Sequence, residues 1–188
     1  WHMKTHGTTQ RQIAVGASKN HYHGSLNPKA QYRFELTVDE VLADREISWP
    51  LTRAMCSPLG DGAAAAILCS EAALAHFSPA ARARAVKVRT SELSGGKYRS
   101  LDEPGLSRIA ADKAYARTGL KPQDIDLIEL HDATSFCEIY QLEMLRQCPE
   151  GHGHPRPSTA RRQSEQVVAC DSWLSPMSKL RGRCWSKG

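Results

Sequence analysis

The chain has 188 residues, enough for one domain with a real core, and a net charge of +5 from 25 basic and 20 acidic side chains. Hydrophobic residues make up 40% of it but aromatics only 6%, so Ala, Leu, Ile and Val must supply the core. No run approaches the roughly eighteen apolar residues of a spanning helix, which excludes that kind of membrane protein, and no basic-then-apolar leader follows Trp1.

With no Met at its start, the sequence reads as an internal piece of a longer chain. In chain order, Thr8 or Thr9 is placed to cap a helix through "QRQIAVGASKNHYH". Ile13, Ala14 and Ala17 share one face of it, and the His21-Tyr22-His23 end is expected in solvent. "GSLNPKAQYR" at 24–33 has Gly, Asn-Pro and no period, so it is loop. Thr37 with Glu40 three residues later is a capping box that opens a short helix, "VDEVLADR". "ISWPLTRAMCSPLGDG" continues as extended segments and turns, interrupted by Pro50 and Pro58.

"GAAAAILCS" reads as a buried strand of small residues, and "SEAALAHF" as a helix capped by Ser70. "AVKVRTSEL" at 85–93 alternates apolar and polar, the pattern of a strand with one wet face. "LSRIAADKAYARTGL" is an amphipathic helix stopped by Gly119 and Pro122. Then "DLIEL" at 126–130 forms a strand that runs into His131-Asp132. Beyond that pair, Phe136, Ile139, Tyr140 and Met144 recur at helical spacing. The order predicts a layered α/β architecture with helices covering a sheet, and no internal repeat is visible.

After Cys148 the character changes. Residues 149–188 hold seven of the basic residues against three acids, scattered among Pro, Ser, Gly and Trp without a helical face, as in an irregular segment. A basic tail without such a face does not read as a nucleic-acid site. The six cysteines (56, 69, 137, 148, 170 and 184) form no C-x-x-C pair. They read as reduced thiols, which predicts a cytoplasmic protein rather than a secreted disulfide framework.

The sharpest chemical candidate is His131-Asp132, where a strand ends and a helix begins. Ligands bind at that edge of open α/β sheets, and an imidazole there can donate to a carbonyl oxygen directly or through a water. The plainer alternative is that Asp132 caps the helix while His131 merely ends the strand. The second candidate is "MCSPLGDGAAAA" at 55–66, in which Ser57 and the Gly60-Asp61-Gly62 turn are suited to line a cleft. Cys56 lacks the electropositive surroundings that make a thiolate, so it reads as inert. No phosphate loop and no Ser elbow is present. Cys148, His152 and His154, with Cys170 or Cys184, are metal-ligand residue types, but C-x3-H-x-H is not a zinc spacing, so no metal site is assigned.

Three blocks carry a family resemblance: "HGTTQRQIAVGASKNHYHGSLNPKAQYR", "TVDEVLADREISWPLTRAMCSPLGDGAAAAIL" and "LIELHDATSFCEIYQLEMLRQCPEG". In order, over roughly residues 1–151, they resemble the thiolase superfamily. The likeness is greatest to sterol-carrier-protein-type thiolases and their acetyl-CoA acetyltransferase-like relatives. The resemblance implies part of a layered α/β/α fold of two similar halves. Residues 1–70 would hold the end of the first half with part of a coenzyme A-covering region, 71–148 the start of the second, and 149–188 a basic tail.

It also implies acyl transfer to or from coenzyme A, in lipid or sterol metabolism. The substrate is an acyl-CoA thioester, no cofactor is covalently bound, and the parent is a homodimer. His131 would help build an oxyanion hole through a water, Asp132 would position the loop, and Ser57 would lie beside the pantetheine arm. The family's nucleophilic cysteine, its Gly-His-Pro block and its Cys-x-Gly-Gly block have no counterparts here, so the chain is expected to be inactive alone. A reading-frame shift after about Gly151 would account for the tail. Two alternatives stay open: a thiolase-like aldolase that acts on steroid side-chain CoA esters with a small partner protein, and a non-catalytic CoA- or lipid-binding remnant.

Overall fold

The computed structural model describes residues 1–153 and the backbone of a strand at 167–170. His154 and Cys184 fall outside the described residues, as do the rest of 154–166 and 171–188, and of Cys170 only the backbone is described.

A short helix α1 (His2–His6) opens the chain and ends on Gly7, whose φ of 72° suits a residue without a side chain. The longest helix, α2 (Gln10–Ser25), begins with the complete capping box of Thr9 and Gln12. It buries Ile13, Ala14, Gly16, Ala17, Asn20 and His21 along one side. Helix α3 (Val38–Ala43) starts on the Thr37–Glu40 capping box. A small antiparallel pair follows, β1 (Glu46–Ser48) with β2 (Leu51–Thr52), joined through a cis Trp49–Pro50 bond. A single 3-10 turn (Arg53–Met55) leads out of it.

Two short helices come next: α4 (Glu71–Leu74), capped by Ser70, and α5 (Pro79–Arg84), capped by Ser78. Helix α6 (Leu106–Thr118) stops at Gly119 in the left-handed conformation. Strand β3 (Leu127–Leu130) then precedes α7 (Ser135–Met144). The last strand, β4 (Val167–Cys170), pairs in parallel with β3, Leu127 opposite Val167 through Leu130 opposite Cys170.

The core lies where α2, α3, the 3-10 turn and α7 meet. Ile13, Ala14, Ala17, Val41, Met55 and Ile139 are buried together there, with Leu36, Leu51 and Phe136 around them. Thr52 Oγ1 donates to the Val41 carbonyl at 2.7 Å inside this core, which ties the hairpin to α3. At the other end of α7, side chains of α6 cover the helix's open carbonyls. Arg108 donates to Glu143 and Met144, and the Tyr115 hydroxyl donates to Leu145 at 2.8 Å.

Two expected strands do not form. Residues 63–69 and 85–93 have no regular structure, and their apolar side chains stand in solvent, Ile67 at 83% and Val88 at 64% exposure. A strand is held by hydrogen bonds to a neighbour, and neither stretch belongs to either of the two described sheets. His21 is the second correction. Tyr22 and His23 are exposed as expected, but His21 turns inward, 2% exposed, onto Tyr32 and Phe34 with ring centroids 6.2 and 5.1 Å away. Burial lowers its pKa, against backbone hydrogen bonds to Phe34 and Ala54 that pull the other way.

Candidate functional site

Residues far apart in sequence line one small, shallow cleft. Helix α2 contributes Ala17 and Asn20, the 3-10 turn and the two residues after it contribute Ala54 to Ser57, and the β3–α7 junction contributes Asp132 and Ser135. A backbone seam holds the last two groups together. The Ser57 N–H donates to the Ala133 carbonyl at 3.0 Å, and Cys56 forms an isolated antiparallel bridge with Thr134. Thus the two sequence candidates, Ser57 and His131-Asp132, are brought to one place.

Their surroundings differ. Asp132 is 4% exposed and accepts from Asn20 Nδ2 at 3.3 Å, a buried link between α2 and the loop. His131, one residue earlier, is exposed and does not line the cleft wall. Ser57 is exposed at its rim. The N-cap of α7 is Thr134, whose hydroxyl makes no capping bond and instead meets Cys137 Sγ at 3.4 Å. The Gly60-Asp61-Gly62 turn lies outside the cleft, fully in solvent.

Sequence reasoning missed two residues that line this site, Asn20 and Ser135, and the Lys19–Glu138 pair beside them. Asn20 was placed only on a helix, yet it reaches the acidic loop. Ser135 lines the cleft with a buried hydroxyl that has no hydrogen-bond partner among the described residues. Lys19 forms a buried ion pair with Glu138 on the first turn of α7, and the second carboxylate oxygen of Glu138 is likewise buried without a partner there. No spacing rule could have found the Asn20–Asp132 and Lys19–Glu138 contacts, because each joins residues more than a hundred positions apart.

Neither Cys56 nor Cys148 is set up as a nucleophile. Burial pushes the Cys56 thiol up, and its Sγ rests against the Thr52 carbonyl at 3.5 Å. Cys148 is pushed up to about 11, by burial first and then by the Glu143 carboxylate. A thiolate needs the opposite setting. Among the described residues no group of three or more His, Cys, Asp or Glu side chains is placed to hold a metal. No described helix is long and apolar enough to cross a membrane.

Residues 99–170 match the family described as Thiolase C-terminal domain-like. Human sterol carrier protein 2 is 39% identical over 160 residues, covering 81% of this chain and 29% of that protein. The acetyl-CoA acetyltransferase of Methanothermobacter thermautotrophicus is 35% identical over 157 residues, 81% of this chain and 40% of the relative. The benzoylsuccinyl-CoA thiolase subunit BbsB of Thauera aromatica is 30% identical over 156 residues, with the same shares. Among solved structures, the Ltp2-ChsH2(DUF35) aldolase superposes with a TM-score of 0.64 at 21% identity, over 92% of this chain and 47% of that one. The fold is thus α/β and thiolase-like, and the chain spans well under half the length of the curated relatives named here.

Proposed function

Because the chain belongs to the thiolase superfamily, we propose that it supplies the acyl-oxygen side of a thiolase-like acyl-CoA acyltransferase site. One observation supports the reading above the rest: the Ser57 stretch and the His131-Asp132 loop share a backbone seam beside one cleft. In this reading the pantetheine arm runs past Ser57. The exposed His131 imidazole donates to the thioester carbonyl oxygen, directly or through one water. A donor fixed before the reaction stabilises the negative charge that develops on that oxygen. Asp132, buried and held by Asn20, keeps the loop in place.

Acyl transfer also needs a nucleophile, and the two described thiols with raised pKa values do not suit it. The purified chain is therefore expected to show no thiolysis of acetoacetyl-CoA.

The test is an NMR titration of the full chain. Acetyl-CoA should move both the Ser57 amide and the His131 ring signals, whereas free coenzyme A, with no acyl oxygen, should move Ser57 alone. Saturating acetyl-CoA that leaves both unmoved would sink the proposal. Equal responses to the two ligands would reduce the site to coenzyme A binding.

A further inference from the structure

Two consecutive residues of α2 reach across to the stretch that directly follows His131, one to Asp132 and one to Glu138. Asn20 Nδ2 donates to the Asp132 carboxylate, and Lys19 Nζ pairs with the Glu138 carboxylate. Asp132 lies just before α7 and Glu138 one turn into it, so the pair brackets the turn between loop and helix. Both acceptors are almost fully buried, at 4% and 3% exposure, and the Lys19 side chain is only 18% exposed.

Charges in such a setting hold geometry well, because water competes little for them and a displaced partner is left uncompensated. This end of α7 is also joined by the Ser57–Ala133 and Cys56–Thr134 seam and packed through Phe136 and Ile139, but its own side-chain hydrogen bonding adds little. Its N-cap hydroxyl makes no capping bond, and Ser135 Oγ and one Glu138 oxygen find no partner among the described residues. The opposite end of α7 is held separately, by Arg108 and Tyr115 of α6.

We infer that Lys19 and Asn20 are positioning residues that set the orientation of the His131 loop from α2, by gripping Glu138 and Asp132. Lys19 does not line the cleft, and Asn20 lines it beside Asp132. Each acts through its carboxylate partner, and the inference rests on the proposed role of His131 only for its catalytic meaning. The grip itself is a property of the unliganded chain.

The test separates grip from stability. Lys19→Met alone strands a buried carboxylate, so the informative variant is K19M/E138L, which removes both charges and refills the space with hydrocarbon. Asn20→Ala removes the other arm, and Lys19→Arg keeps the charge pair. The exposed ion pair of Arg11 with Asp39, on the same helix, supplies the control Arg11→Ala. In the unliganded protein, K19M/E138L and Asn20→Ala should shift the His131 ring signal and lower the backbone order parameters of 131–134, with the rest of the amide spectrum still dispersed. Lys19→Arg and Arg11→Ala should leave both unchanged.

With acetyl-CoA present, the His131 response should fall by at least half in the first two variants, while the Ser57 response keeps its midpoint within twofold. A folded K19M/E138L whose unliganded His131 signal and order parameters match the parent overturns the inference. Should Asn20→Ala fail to fold, the double variant decides by itself. If the parent shows no response to acetyl-CoA, the proposed function fails, and the unliganded comparison still decides the grip.

Discussion

His2 shows how a single side chain can fasten the two ends of the described chain. Its Nδ1 meets Thr8 Oγ1 at 2.8 Å, its Nε2 meets Glu143 Oε2 at 2.9 Å, and its ring packs edge-on against Phe136. The other Glu143 oxygen accepts the Gly153 N–H at 2.9 Å, so this 1%-exposed carboxylate is satisfied on both sides. His2→Ala removes one of its two partners and should cost about 2 kcal/mol in a urea unfolding curve. Cysteine reactivity should also sort by site. With its pKa near 11, Cys148 holds about one part in a thousand of thiolate at pH 8, so iodoacetamide should modify the exposed Cys69 well before it. The sign for stability follows from the raised value. The folded state holds the Cys148 proton more tightly than the unfolded one, so this contribution is complete below pH 9 and is lost as pH rises toward 11.

At the scale of elements, α2 is the organiser, and most of it was legible. Thr9, Thr37, Ser70 and Gly119 all stand at the helix ends their side chains, or lack of one, predict. Caps are local, so a window of four residues contains the whole cause. Thr9→Ala should cost about 1 kcal/mol, and Ile13→Ala, which empties the centre of the cluster, about 2–5 kcal/mol, both read from denaturant midpoints. The strands at 63–69 and 85–93 were misjudged for the converse reason. Alternation marks a segment able to pair, but pairing depends on a neighbour that no local window contains. His21 was misplaced similarly, since the rings that cover it belong to 32–34, beyond the helix end. Helices α1 and α5 were missed: α1 has no side-chain cap to mark it, whereas Ser78 with Pro79 at the start of α5 is a local signal as readable as the caps of α3 and α4.

Over the whole molecule, the buried residues among those described fall into 1–56 and 106–153, while 57–105 runs outside the core. That excursion leaves Leu59, Ile67, Leu68, Val86, Val88 and Leu93 in solvent, an apolar surface of the kind that drives association. It also places Arg82, Arg84, Lys87 and Arg89 together in an exposed stretch. Limited trypsin should cut there first and leave the flanking helical segments intact, as mass spectrometry of early fragments would show. Uniform cleavage along 1–148 would contradict this partition. The amide–carbonyl link from Ser57 to Ala133 spans that excursion. Closing so large a ring costs chain entropy that only the finished contacts repay. When the denatured chain is returned to buffer, helices α2 and α6 should therefore gain hydrogen-exchange protection early, and the amides of 57 and 131–134 should gain it last. Ligand competence would then arrive after most of the helical signal has recovered.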